Sequence, residues 1–149
     1  GVKKGGAGCI CPESTLLKAL VTHIVLARDE VVVMDMEAGL EHLGRGTAQS
    51  VHKLLVVVEP GRRSIDTAGH IKKLAQEIGL KHIAVVGNKI RGEKDEAFLK
   101  KHLNDFDYMG SLSYDDALIE ADLNGIAPFD TASSAKEEVK EIVARLSAL

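Results

Sequence analysis

The chain has 149 residues, 45% of them hydrophobic and 28% charged, with 19 Lys+Arg against 22 Asp+Glu for a formal net charge of −3. That size gives room for about one domain at the usual ~100–200 residues each, and the composition excludes a disordered or collagen-like polymer. The charges form no basic block, which excludes a dedicated nucleic-acid surface or polybasic membrane anchor. No apolar run approaches the ~18 residues of a membrane span and no signal-peptide pattern opens the chain, so no membrane association and a cytoplasmic location are expected.

Read in chain order, Gly1 to Gly8 is glycine-rich and is expected to form a flexible loop. A helical pattern follows Pro12, with Leu16, Leu17, Leu20, Val21 and Ile24 on one face. Three apolar runs, Val31 to Met36, Leu54 to Glu59 and His82 to Val86, read as strands buried on both faces of a parallel sheet. A second helical pattern carries Ile71, Leu74, Ala75 and Ile78 after Ser64, with Gly79 placed to stop it. A weaker strand is expected over Phe106 to Leu112. The last helix opens on Ser134 and Glu137 at capping-box spacing and lines Val139, Ile142, Val143 and Leu146 on one face. Strands alternating with helices predict a single α/β domain over residues 1–149, a doubly wound, mostly parallel sheet with flanking helices.

In such sheets the ligand lies at the carboxyl ends of the strands. The segments leaving those ends are Asp35 to Gly39, Glu59-Pro60-Gly61-Arg62-Arg63-Ser64 and Gly87-Asn88-Lys89, all polar or glycine-bearing. Asp35 ends a strand, where a carboxylate serves either a magnesium ion, as a Walker B residue does, or the cap of the next helix. Asn88 suits either a purine edge, with the Lys89 stem along the ring, or a simple turn. Of the six histidines, only His42 beside Glu41 adjoins a candidate site. Lys4-Gly5-Gly6-Ala7-Gly8 has the glycines of a phosphate loop, but Cys9-Ile10 stand where Lys-Ser/Thr belongs.

Cys9 and Cys11 flank Ile10 before Pro12, so Cys11 falls near a helix N-cap, where amide donors and the helix dipole favour a thiolate. One such pair supplies two sulfurs, while a closed zinc site takes about four N/S ligands. A second copy of the chain across a two-fold axis completes the set, giving a four-thiolate homodimer bridge. Two cysteines that merely pack in a turn, and a redox dithiol, are the alternatives.

At Cys9 to Pro12, Val33 to Gly46, Glu59 to Ser64 and Val86 to Lys89, the sequence resembles the CooC-type accessory ATPases of carbon monoxide dehydrogenase maturation, in the MinD and nitrogenase-iron-protein branch of P-loop NTPases. The resemblance implies ATP/ADP with magnesium, ATP-driven dimerisation, and nickel or zinc held by Cys9 and Cys11 at the dimer interface for delivery to carbon monoxide dehydrogenase. It places Asp35 near magnesium, Glu37 to Gly46 in the switch segment, and Asn88 with Lys89 at the adenine. It also implies a truncated P-loop NTPase-like domain, the C-terminal portion, because the family's Lys-Gly-Gly-x-Gly-Lys-Thr/Ser loop is not found, so these residues alone are expected to lack ATPase activity. Gly110-Ser111-Leu112-Ser113-Tyr114-Asp115 departs from the family's Gly-x-Ile-Pro-x-Asp by lacking the proline. Against the nitrogenase iron protein, Cys9 has a counterpart but the switch cysteine falls near Ala38, which excludes the same four-iron cluster. Two other readings are a passive metal-bridged dimeric module and a MinD-like regulatory ATPase. The latter needs a membrane-binding last helix, whereas Lys136, Glu137, Glu138, Lys140 and Glu141 read as a solvated face.

Overall fold

The computed structural model describes residues 31–36, 51–131 and 134–147. Residues 55–68 with 84–149 form one compact unit, and residues 1–54 with 69–83 a second. The elements in order are β1 (Leu54–Val58), α1 (Arg62–Glu77), β2 (Ile83–Ile90), α2 (Glu93–His102), β3 (Asp107–Ser113), α3 (Asp116–Leu123), α4 (Pro128–Thr131) and α5 (Ser134–Ser147). The strands form a parallel sheet in the order β1-β2-β3, so the expected α/β class holds.

Helix α1 ends as expected, with Gly79 in the left-handed region at φ 87. Helix α2, absent from the sequence reading, carries Glu93, Asp95 and Glu96 in its first turn and Lys100, Lys101 and His102 in its last. That order sets charge against both ends of the helix dipole. Its Lys100 ammonium lies 2.8 Å from Glu96, and that hydrogen bond raises the lysine's pKa. Helix α3 starts at Asp115, whose Oδ1 accepts from the Ala117 amide at 2.9 Å.

Side chains alternate across a strand, so β2 feeds two layers. On one face Ala84 and Val86 pack with Met109 and with Ile142 of α5, joined by Leu112 and Leu146. On the other, Leu99 of α2 comes close to Gly87, where a Cβ would lie 3.1 Å from Leu99 Cδ1 and 2.8 Å from the Tyr108 hydroxyl. That hydroxyl is hydrogen-bonded to Ser111 Oγ at 2.5 Å, so a polar pair fills the space glycine leaves.

The β2–β3 ladder is irregular. It pairs Val85 with Tyr108 but Val86 with Gly110, and it shifts again between Gly87 and Ile90. The first shift is a bulge that leaves the Met109 carbonyl to the Arg145 Nη1 donor, at 2.7 Å. Gly110 takes φ 145, and a Cβ there would lie 3.0 Å from Ile142 Cγ1.

Three expectations are corrected. Val31 to Met36 forms no strand, and Val31 and Val33 are 91% and 84% exposed. A buried parallel strand needs paired neighbours on its edges, and none is described for these residues. Strand β2 does not stop at Val86 but runs to Ile90, taking Asn88 and Lys89 into the sheet. At the last helix the capping box does not form: Ser134 Oγ donates to Asp115 at 3.3 Å, and Glu137 pairs instead with Lys140 at 2.6 Å. The expected flexible loop at 1–8, the helix after Pro12 and His42 lie outside the described residues.

Gly110→Ala is expected to lower stability in urea unfolding by about 1–3 kcal/mol, through overpacking against Ile142 and a disfavoured backbone angle. Gly61, with nothing within 4 Å of an added Cβ, supplies the control. Gly61→Ala should leave stability unchanged or raise it by up to about 1 kcal/mol. Equal losses at both positions would show that the α5 contact is not the cause.

Candidate functional site

The carboxyl ends of β1, β2 and β3 all belong to the unit formed by 55–68 and 84–149. At the first two ends the chain sets Glu59, just past β1, against Lys89 of β2, with Lys89 Nζ 2.6 Å from Glu59 Oε1. Lys89 has φ 56 and is the non-glycine residue in the left-handed region among the described residues. It sits within the second register shift, between Gly87 and Ile90. Residues held in that region commonly mark functional sites, because the surroundings must over-determine them. The ion pair is half-exposed, so it contributes at most about 1 kcal/mol and acts chiefly to direct the Lys89 side chain. Asn88 beside it is half-buried.

Two clefts open at this end. A cleft of about 380 Å³ is lined by Glu59, Pro60 and Lys89 together with residues 91–95. A larger cleft of about 600 Å³ lies between Ile90 to Glu93, the end of β3 and α5. Within it the Arg91 guanidinium stands 5.1 Å from the centre of the Tyr114 ring. Glu93, Glu96, Glu138 and Glu141 face Arg91 and Arg145 around the same cleft, a mixed and polar wall.

The clamp between β3 and α5 fixes the larger cleft. Glu138 accepts two hydrogen bonds from Ser113, from the amide at 2.9 Å and from Oγ at 2.5 Å. The amide bond depends on the residue type, because a proline at position 113 would have no N–H to give. Glu138, read from the sequence as part of a solvated face, is therefore tied to the strand end. Sequence reasoning also missed Arg91, Tyr114 and Arg145. Arg91 lies just beyond the Asn88-Lys89 pair, and that proximity was the available signal.

The predicted site residues divide sharply. The structure brings Lys89 to Glu59, from two segments singled out in the sequence, and places Asn88 next to them. Asp35 is exposed and belongs to the second unit. Cys9, Cys11 and Glu37 lie outside the described residues. Among the described residues no group of three or more His, Cys, Asp or Glu is placed to hold a metal ion. No helix among them is long and apolar enough to cross a membrane.

Asn88, the residue with base-reading chemistry, is not among the residues that line either of these two clefts. The Asn88 amide offers a donor and an acceptor side by side, as a purine edge requires. Arg91 over the Tyr114 ring is a cation–π contact at the same end of the sheet.

Comparison with known proteins then supplies relatives. The chain is 39% identical over 145 residues to the carbon monoxide dehydrogenase accessory protein CooC of Rhodospirillum rubrum, covering 97% of this chain and 55% of that protein. It is 41% identical over 144 residues to an uncharacterized ATP-binding protein of Methanocaldococcus jannaschii, covering 95% of this chain and 55% of that protein. A second ATP-binding protein of the same organism is 40% identical over 126 residues, with 81% of this chain and 49% of that protein covered. No family model matches the chain. The resemblance to CooC-type accessory ATPases thus holds over nearly all of the chain, and the chain spans about half the length of the relatives it matches.

Glu138→Ala is expected to lower stability by about 1–2 kcal/mol, since it leaves the Ser113 donors without their charged acceptor. Ser113→Ala should remove only the hydroxyl bond, and the double variant should fall short of the sum by about 0.5 kcal/mol or more. Strict additivity in chemical denaturation would show that the pair does not interact.

Proposed function

We propose that this chain serves carbon monoxide dehydrogenase maturation as a nickel-handling, ATP-dependent factor. Cys9 and Cys11 of two copies hold nickel or zinc at a homodimer interface, and the carboxyl end of the sheet takes the nucleotide. The observation that carries the reading is the match over 97% of the chain to a carbon monoxide dehydrogenase accessory protein, joined by ATP-binding relatives. Nickel is the cargo in this account. Thiolates are suited to it and to zinc alike, so the supply of metal in the cytoplasm decides which is bound.

The residues divide the work by their chemistry. Asn88 reads the base edge, and Lys89, held out of the regular ladder by its bulge and by Glu59, lines the smaller cleft beside it. Asp35 and Glu37 serve the magnesium side and the switch, one carboxylate near the ion or its water and the other in the segment that relays nucleotide state. A bound nucleotide with magnesium supplies a phosphoanhydride whose cleavage drives the dimer between states. These residues alone hydrolyse it poorly, because their sequence has no Lys-Gly-Gly-x-Gly-Lys-Thr/Ser run to cradle the β- and γ-phosphates.

The second reading is a passive metal-bridged dimeric module, which uses the same Cys9–Cys11 pair without nucleotide turnover. Calorimetry separates the two. The nickel-handling ATPase reading expects nickel heat that disappears in Cys9→Ser/Cys11→Ser, and ADP heat that weakens by about tenfold or more in Asn88→Ala. Nickel heat without any nucleotide heat would leave the passive module. Unchanged nickel binding in the double cysteine variant would overturn both.

A further inference from the structure

The segment from Asp115 to Asp130 is unlike the rest of the surface. Leu123 of α3 is 80% exposed and Phe129 of α4 is 74% exposed, with Ile119 and Ile126 each 46% exposed. Helices α3 and α4 touch, and these four residues lie close together along the chain that forms them. The same residues include Asp115, Asp116, Glu120, Asp122 and Asp130 and neither lysine nor arginine. Asp115 is occupied by the Ala117 amide and by Ser134. The other four carboxylates are exposed.

Large apolar side chains left in water forgo the stabilisation of burial, and a cluster of them is the kind of surface that takes a partner. The carboxylates state the partner's charge. An acidic rim repels anionic lipid headgroups and acidic polypeptides and attracts a cationic one. The surface already shows the contact such a partner makes: the chain's own Lys136 places its ammonium 4.6 Å from the centre of the Phe129 ring.

We infer that the α3–α4 surface around Leu123 and Phe129 is a docking site for a basic amphipathic helical segment of another protein, its apolar stripe on Leu123, Ile126 and Phe129 and its lysines or arginines on Asp116, Glu120, Asp122 and Asp130. Helix-in-groove recognition of this kind uses apolar anchors at helical spacing with complementary charge at the rim. The inference goes beyond the proposed maturation role and requires neither nucleotide nor metal, so it stands or fails by itself.

The test uses the full 149-residue chain and a fluorescently labelled 14-residue amphipathic leucine/lysine peptide, followed by anisotropy. The expected result is saturable binding that weakens about tenfold or more in Leu123→Ser/Phe129→Ser, with the circular dichroism and melting temperature of the variant unchanged. Asp122→Lys should weaken binding and flatten its dependence on salt. A control peptide with every leucine replaced by serine keeps the charge and should bind at least tenfold more weakly. Equal binding of the control peptide, or unchanged binding by the double variant, overturns the inference. So does sedimentation showing that wild type self-associates through Leu123 and Phe129, which would make the occupant a second copy. Capture by phosphatidylserine vesicles, lost in the same double variant, would make it a lipid surface and overturn the inference equally.

Discussion

The close seat of α5 on β3 is the constraint from which the described site follows. It exists because residue 110 has no Cβ: one added there would meet Ile142 Cγ1 at 3.0 Å. With the helix that near, Arg145 reaches the Met109 carbonyl released by the bulge, and Glu138 reaches both donors of Ser113. Van der Waals contact, a carbonyl that would otherwise lack a partner, and a two-point carboxylate clamp thus act on one strand. Together they hold the end of β3 against α5 and give the larger cleft its walls. A buried carbonyl without a partner costs about 1–3 kcal/mol, so Arg145 supports the bulge as well as the helix seat.

Much of the described fold is legible in sequence where a residue's type alone decides the outcome. The valine-rich strand at 54–58, the strand beginning near residue 83 and the glycine stop of α1 all follow from side-chain branching or a missing Cβ. What is not legible depends on who sits next to whom. Val31 to Met36 has the composition of a buried strand, yet composition cannot provide the neighbouring strands that make one. The bulges at Met109 and at Asn88-Lys89 arise from pairing between β2 and β3, which no local pattern records. Helix α2 was missed although its acidic first turn and basic last turn are a readable signal, because its apolar face is short, with Leu99 the buried residue within it.

The candidate site was partly legible for the same reason. The three polar strand exits were identified from the rule that ligands gather at the carboxyl ends of parallel strands, and two of them meet in the Glu59–Lys89 pair. In sequence, the serine at 113 stands out only by not being a proline. In three dimensions its amide is one half of the Glu138 clamp, so a departure from a family pattern becomes a specific interaction of this chain. The relatives add what geometry does not: one is a carbon monoxide dehydrogenase accessory protein and others are ATP-binding proteins.

The central claim is that Cys9 and Cys11 of two copies share one metal ion. Native mass spectrometry of the chain with and without a chelator, paired with metal content by inductively coupled plasma spectrometry, tests it most directly. The account predicts one nickel or zinc per two chains, and a dimer that separates on chelation and does not form in Cys9→Ser/Cys11→Ser. A metal-free species whose mass is the same with and without chelator would contradict it.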